Sequence, residues 1–197
     1  MEKQKARRVS LVVLTLCLGS AAMSSGQATA KPLDDSQVVM SGEFVRDRSF
    51  NLTGYYYPTT EIQVGNFHLD HIDMGDDSDF RKLETEGQTL STWTPFEFSF
   101  SDMSSPELQG EMGPYHERSP RVFCKSYSLT ADKISFTGYD KDVGEVRFEG
   151  KIDPAFITRQ SSDVTWMSES EDAVITGDLT IAGKTFKNVG FAYWAGD

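Results

Sequence analysis

Cysteine is nearly absent from this 197-residue chain. Its two cysteines are Cys17 and Cys124. Cys17 lies in an N-terminal segment that we expect to be removed, so the mature chain can form no internal disulfide. This excludes the small disulfide-bonded folds common among exported proteins, and the mature chain must depend on a hydrophobic core. Cys124 lies in the strand-like run Val122–Tyr127 with no catalytic motif beside it, so we expect a buried, unreactive thiol.

Long apolar runs are also absent, and the one short run marks a leader. Four basic residues precede the apolar run Val9–Leu18, and Ala28-Thr29-Ala30 has the small-x-small pattern of a signal-peptidase site. A run this short does not span a bilayer, which takes about 20 helical residues. We therefore predict a cleaved signal peptide at residues 1–30 and an exported protein, periplasmic or secreted, without an integral membrane segment. The Arg7-Arg8 pair leaves twin-arginine export open.

Positive charge is scarce in this chain, which has 19 Lys and Arg against 30 Asp and Glu. Four of the basic residues and one acidic residue lie in the predicted leader, which leaves 15 against 29, a formal charge of −14. A field of this sign repels nucleic-acid phosphates and anionic lipid, so we expect no nucleic-acid partner. Cationic ligands or metal ions remain as partners, and solubility of an exported domain is the alternative reason for the acidity.

Helical periodicity is missing from most of residues 31–197, which we expect to form a single domain. Only Asp79–Glu86 and Pro154–Arg159 allow a turn or two of helix. Phe96, Phe98 and Phe100 alternate with polar residues, which places three rings on one face of a strand. Such segments, separated by Gly, Pro and Asp, predict an all-β fold: an antiparallel β-sandwich or barrel of about eight or nine strands. The candidate strands are Gln37–Val45, Ser49–Tyr57, Glu61–Ile72, Phe96–Phe100, Arg121–Leu129, Lys133–Thr137, Glu145–Ile152, Ile175–Ile181 and Val189–Tyr193, and Ser101–Pro120 is expected to be irregular.

Motifs of the common hydrolases are missing. The chain has no Gly-x-Ser-x-Gly elbow, no Ser-x-x-Lys, no His-Glu-x-x-His and no glycine-rich phosphate loop. A carboxylate pair for glycoside hydrolysis stays open, because acidic residues are numerous and their spatial separation is not written in the sequence. We expect a non-catalytic protein, with a metal-dependent or carboxylate hydrolase that uses His68–Asp79 as the alternative.

The segment Phe67–Asp79 carries the densest set of chemically capable side chains, two histidines and five aspartates. On a strand His68 and His71 point to opposite faces, so they can share a metal only if the strand ends or bulges between them. The aspartates could instead form a calcium-binding loop, which makes calcium the candidate cofactor. A solvated acidic turn is the structural alternative. The candidate metal ligands are His68, His71, Asp73, Asp76, Asp77 and Asp79.

Aromatic side chains supply the candidate ligand contacts, which are Trp93, Trp166 and Tyr56. Both tryptophans stand in polar, loop-like surroundings, although burial at the ends of the fold is the alternative. In the run Tyr55-Tyr56-Tyr57 the middle ring faces away from the other two, so at least one side of this run is expected in the core. Large flat rings with a polar group suit contact with a sugar or a protein partner.

The segment Val174–Thr185 reads as a strand, the turn Ala182-Gly183-Lys184 and the start of a second strand. It resembles the closing hairpin of the YceI-like periplasmic proteins, whose lipocalin-like barrels hold isoprenoid lipids. The resemblance implies an apolar cavity and a lipid-carrier function, and it carries over no ligand residues.

These features together predict an exported, non-catalytic, binding or envelope-associated β-domain. Its expected partner is a carbohydrate or another protein, and calcium is a candidate stabiliser. The alternatives are the hydrolase and a lipocalin-like periplasmic lipid carrier. Exposed tryptophans on one rim would favour the binding domain, whereas a closed barrel with a dry interior would favour the lipid carrier.

Overall fold

The computed structural model describes residues 38–41, 44–86, 93–111, 113–161 and 172–196. The predictions for the leader and for Trp166 fall outside these residues. Thirteen strands and two helices lie within them, and none of the described helices is long and apolar enough to cross a membrane. The strands are β1 Val38–Ser41, β2 Phe44–Asp47, β3 Gly54–Pro58, β4 Gln63–Val64, β5 Phe67–Met74, β6 Phe96–Asp102, β7 Glu107–Gly110, β8 Gly113–His116, β9 Arg121–Leu129, β10 Ile134–Asp140, β11 Gly144–Ile152, β12 Ala173–Ile181 and β13 Lys184–Trp194, and the helices are α1 Asp77–Glu86 and α2 Pro154–Ser161.

Eight of the strands close into an antiparallel barrel. The order around the barrel is β9, β10, β11, β12, β13, β3, β5 and β6, and β6 pairs with β9 to complete the ring. The β1–β2 hairpin joins from outside through a parallel pairing of β2 with β9, and β4 pairs with the start of β5. The prediction of an all-β fold with little helix is confirmed, and closure satisfies the strand edges that an open sheet would expose.

Short hairpins account for the strands that the sequence did not separate. The region Gln37–Val45, expected as one strand, contains both β1 and the start of β2, and Glu61–Ile72 contains β4 and most of β5. Gly65 turns the chain between β4 and β5 with a φ of 58°, a conformation that glycine adopts at little cost. Ser101–Pro120, expected to be irregular, contains the two-stranded sheet of β7 and β8.

Aromatic rings fill the interior of the barrel. The centroid of the Phe98 ring lies 4.6 Å from that of Phe136 and within 6.4 Å of those of Phe148 and Phe191. Cys124 is also fully buried, and burial raises the pKa of its thiol to about 12, which confirms the expected unreactive cysteine. The largest fully buried side chains are Tyr56, Phe96, Phe98, Phe100, Phe136, Phe148, Phe191, Ile62, Leu69, Ile72, Met74 and Leu83.

Both helices begin at aspartate caps. Asp153 Oδ1 accepts the backbone N–H of Ala155 at 2.9 Å at the start of α2. At α1, Asp76 Oδ1 accepts the N–H of Asp79 at 3.0 Å, and Asp79 Oδ2 accepts the N–H of Asp76 at 3.2 Å. This reciprocal pair is a capping box, and it orders the turn that joins β5 to α1.

Candidate functional site

A row of outward-facing side chains crosses four neighbouring strands of the barrel. Trp194 on β13 is the Cα partner of Tyr55 on β3, Tyr55 is the partner of Asp73 on β5, and Asp73 is the partner of Glu97 on β6. Side chains alternate along each strand, so these residues face outward while their neighbours fill the core. Directly opposed residues place their Cβ atoms about 5 Å apart. Strand register therefore sets two rings beside two carboxylates.

Loops at the ends of these strands turn the row into a cleft of about 480 Å³. Gly75 N–H donates to Pro95 O at 2.9 Å and holds the β5–α1 turn against the segment before β6. A Cβ at Gly75 would lie 2.9 Å from Asp79 Oδ2 and 3.3 Å from Pro95 Cβ, so glycine allows this close approach. Three partly exposed rings and three carboxylates define what we call the aromatic–acidic cleft: Tyr55, Trp93, Trp194, Asp73, Asp76 and Asp79.

Further rings extend one wall of the cleft across the barrel surface. The Tyr55 ring centroid lies 5.6 Å from that of Trp194 and 5.3 Å from that of His71. Tyr57, two residues along β3, lies 6.1 Å from Trp194 and 5.5 Å from His71 by the same measure. Burial lowers the pKa of His71, although Asp70 and Asp73 act in the opposite direction, so its ring is mainly neutral near pH 7.

The carboxylates of Asp73 and Glu97 are held in a poorly solvated environment. Burial raises the pKa of Asp73, while the charges of His71 and Arg121 partly offset the shift. Burial likewise raises the pKa of Glu97, which is only 1% exposed. Arg121 approaches Glu97 Oε1 at 3.2 Å, but Glu97 Oε2 has no hydrogen-bond partner among the described residues. A nearby positive group therefore stabilises the ionised form of each of these two carboxylates.

The other two carboxylates of the cleft are fixed by the capping box. Asp76 Oδ1 also accepts the hydroxyl of Ser78 at 2.6 Å. This hydrogen bond, followed by that from the Asp79 backbone N–H, lowers the pKa of Asp76. The helix cap thus holds negative charge at the mouth of the cleft.

The six candidate metal ligands do not converge on one point. β5 has a bulge between Leu69 and His71, which is the condition under which His68 and His71 share a face. His68 nevertheless contacts Asp70 Oδ1 through Nδ1 at 3.2 Å, and His71 packs on tyrosine rings. Within the described ranges, no group of three or more His, Cys, Asp or Glu side chains could hold a metal ion.

Asp77 does not line the cleft with the other predicted aspartate ligands. It receives Nη1 of Arg46 and Nε of Arg81, each at 2.6 Å, on the side of α1 that faces β2 and solvent. The predicted metal ligands therefore divide into separate groups in the structure. Asp73, Asp76 and Asp79 line the aromatic–acidic cleft, whereas Asp77 belongs to an ion-pair network.

The predicted aromatic contacts divide between the surface and the core. Trp93 lines the cleft, but Tyr56 is 0% exposed and its hydroxyl donates to Leu52 O at 2.7 Å. A ligand contact through Tyr56 is therefore wrong, because strand alternation directs this ring inward against Tyr193. On the outer face of the barrel, Tyr55 and Trp194 line the cleft instead of Tyr56. Alternation places Tyr55 and Tyr56 on opposite faces but does not say which face is outward, and Trp194 required the β3–β13 pairing.

Comparisons of this chain with protein-family models, with curated proteins and with solved structures find no match. The resemblance of the C-terminal hairpin to the YceI-like proteins therefore rests on the residues of that hairpin alone.

Proposed function

We propose that the protein is an exported, non-catalytic binding domain that takes a carbohydrate in the aromatic–acidic cleft. The observation that carries this proposal is the convergence of three rings and three carboxylates from separate parts of the chain on one cleft of about 480 Å³. Ligand sites for small molecules commonly measure about 300–1,000 Å³, so this cleft suits one or two sugar rings better than a flat protein surface.

The two kinds of side chain supply complementary parts of sugar recognition. Tyr55 and Trp194 offer flat faces against which the C–H face of a sugar ring can pack, and Trp93 adds a third ring from the loop before β6. The carboxylates of Asp73, Asp76 and Asp79 accept hydrogen bonds from hydroxyl groups, and bonds to a charged acceptor are short and strong. Export is supported by the predicted leader at residues 1–30.

The test is a binding titration with soluble oligosaccharides, followed by calorimetry and by tryptophan fluorescence. Trp93→Ala and Trp194→Ala are each expected to weaken sugar binding at least about 10-fold, because each removes a stacking face at the centre of the site. Tyr139→Ala is the matched control, since this ring is 53% exposed on β10 and does not line the cleft. If both tryptophan variants fold and bind like the wild type, the cleft is not the sugar site.

A carboxylate hydrolase is the second candidate, because Asp73 and Glu97 are cross-strand neighbours and both have raised pKa values. Burial of Glu97 opposes this candidate, since a side chain that is 1% exposed cannot reach a substrate in the cleft. Incubation of the same oligosaccharides with the protein should release no new reducing ends. Cleavage that Asp73→Asn abolishes would establish the hydrolase instead.

A further inference from the structure

Negative charge around the aromatic–acidic cleft is not balanced. Arg121 pairs with Glu97 at 3.2 Å and its charge also acts on neighbouring Asp73, but its side chain is about half exposed to solvent. None of the described lining residues is Lys or Arg. The cleft therefore carries more negative than positive charge beside aromatic faces, and this excess favours a ligand with positive charge.

Hydrogen bonds to two of these carboxylates, Asp73 and Glu97, are missing or incomplete among the described residues. No described residue donates a hydrogen bond to Asp73, although this side chain is partly buried. Glu97, its cross-strand neighbour, is almost fully buried with Oε2 unpartnered within the described ranges. Charged groups taken out of water are costly unless a counter-charge or hydrogen bonds compensate them. Asp76 and Asp79 are already engaged in the capping box, so Asp73 is the carboxylate left to contact a ligand.

We propose that the ligand is an amino sugar whose free, protonated amine lies against Asp73. This inference rests on the proposed carbohydrate-binding function and names its substrate class. An ammonium group has three N–H donors and no acceptor, which suits the carboxylate of Asp73, to which no described residue donates a hydrogen bond. Rings of Tyr55 and Trp194 beside Asp73 add an attraction for a cation, in addition to packing on the sugar ring. Neutral sugars would leave the charge of Asp73 uncompensated, and acidic sugars would be repelled.

The test compares three β-1,4-linked tetrasaccharides, of glucosamine, of N-acetylglucosamine and of glucose, which differ in the group at C2. Titrations are performed at about pH 5.5, because the oxygens that flank a 2-amino group withdraw electrons and lower the pKa of its ammonium below that of a lysine side chain. The glucosamine oligomer is expected to bind at least about 30-fold more tightly than the other two, with an advantage that shrinks as salt increases. Asp73→Asn should remove this preference while the neutral sugars still bind.

Matched variants separate a specific contact from general attraction to an acidic protein. Glu145→Gln removes the same charge from an exposed position on β11 that does not line the cleft, and it should preserve the preference for the amino sugar. Glu97→Gln removes a buried charge behind the cleft, beside Asp73, with an expected partial loss of preference, and it keeps the test available if Asp73→Asn does not fold.

The outcomes distinguish the inference from the function on which it rests. Equal binding of all three tetrasaccharides would overturn the amino-sugar inference and retain carbohydrate binding. An equal loss of preference in Asp73→Asn and Glu145→Gln would also overturn the inference, since general electrostatic attraction would then explain the result. Binding of none of the three would remove the proposed function together with the inference.

Discussion

Glu97 shows how a single residue can link stability to function. Its carboxylate lies on the outer face of β6 yet is almost fully buried, and one oxygen lacks a partner among the described residues. Residues of this kind reduce the stability of the folded state unless another interaction compensates them. Glu97 does not line the cleft, so it acts on a bound ligand only through its charge and through its neighbour Asp73.

Replacement of Glu97 by glutamine is expected to stabilise the free protein at pH 7 by about 1 kcal/mol, or about 2–4 °C in Tm. Because folding raises the pKa of Glu97 above its ordinary value of 4.5, the favourable contribution of this group is present below pH 4.5 and is lost as pH rises through the folded pKa. The stability advantage of Glu97→Gln over the wild type should therefore appear as pH increases and vanish in acid.

Thermal melts of wild type, Glu97→Gln and Glu149→Gln across this pH range test the prediction. Glu149 is exposed on β11, so its substitution should change stability by no more than about 0.5 kcal/mol. A lower Tm for Glu97→Gln at pH 7 would mean that the ion pair of Glu97 with Arg121 outweighs the burial cost.

At the scale of elements, Glu84 joins α1 to two strands. Its carboxylate accepts Nε of Arg46 at 2.8 Å and Nη2 of Arg48 at 2.7 Å from the β2 region, and the hydroxyl of Tyr127 on β9 at 2.8 Å. Burial by itself raises the pKa of Glu84, but the hydrogen bonds from these three partners outweigh it, so the pKa lies below its ordinary value. The network holds α1, and hence the β5–α1 turn at the cleft, against the barrel.

Glu84→Gln is expected to destabilise the protein by about 2 kcal/mol at pH 7, because it removes the charged partner that Arg46 and Arg48 share and leaves Asp77 as the remaining carboxylate beside Arg46. Since the folded pKa is depressed, the contribution of Glu84 is present above pH 4.5 and is lost as pH falls through the folded pKa. Wild type should lose stability in acid, and the variant should lose less.

Urea unfolding at neutral and acidic pH measures this difference. Arg81→Gln is the control, because it removes only the exposed partner of Asp77 and should cost less than about 1 kcal/mol. Equal stability of wild type and Glu84→Gln at pH 7 would show that the network contributes nothing net.

On the scale of the whole molecule, the barrel interior is a packed core. Rings such as Phe98 and Phe191 are fully buried at its centre, where a lipid carrier would hold an apolar space for its ligand. The lipid-carrier alternative requires such a space, whereas the aromatic–acidic cleft lies on the outer surface. A ligand on the outside can bind without disturbing the core.

The native protein is expected to take up neither an apolar fluorescent probe nor a polyprenyl alcohol, because aromatic and aliphatic side chains already fill the interior of the barrel. Phe98→Ala should cost about 3–5 kcal/mol and create a cavity, and Met103→Ala, at an exposed position, should cost little. Fluorescence titration and urea unfolding provide the two measurements. Stoichiometric uptake of the polyprenyl alcohol by the wild type would favour the carrier.

The sequence predicted the fold class because strand periodicity is a local property. Phe96, Phe98 and Phe100 alternate with polar neighbours, and this pattern alone assigns them to one buried face. It did not separate the short hairpins, since the turn at Gly65 depends on backbone conformation. The helix at Asp79–Glu86 was also predictable, and the structure extends it to Asp77 because Asp76 caps it.

The sequence by itself determined the all-β fold class, the shared inward face of Phe96, Phe98 and Phe100, the excess of acidic residues and the chemical character of the Phe67–Asp79 segment. Only the tertiary structure decided which of those side chains meet. Trp194, Tyr55, Asp73 and Glu97 form one row because three strand pairings set their register, and two of those pairings join strands that are not consecutive in the chain. Register between distant strands depends on closure of the whole barrel and leaves no local pattern, so the cleft could not be read from the residues that line it.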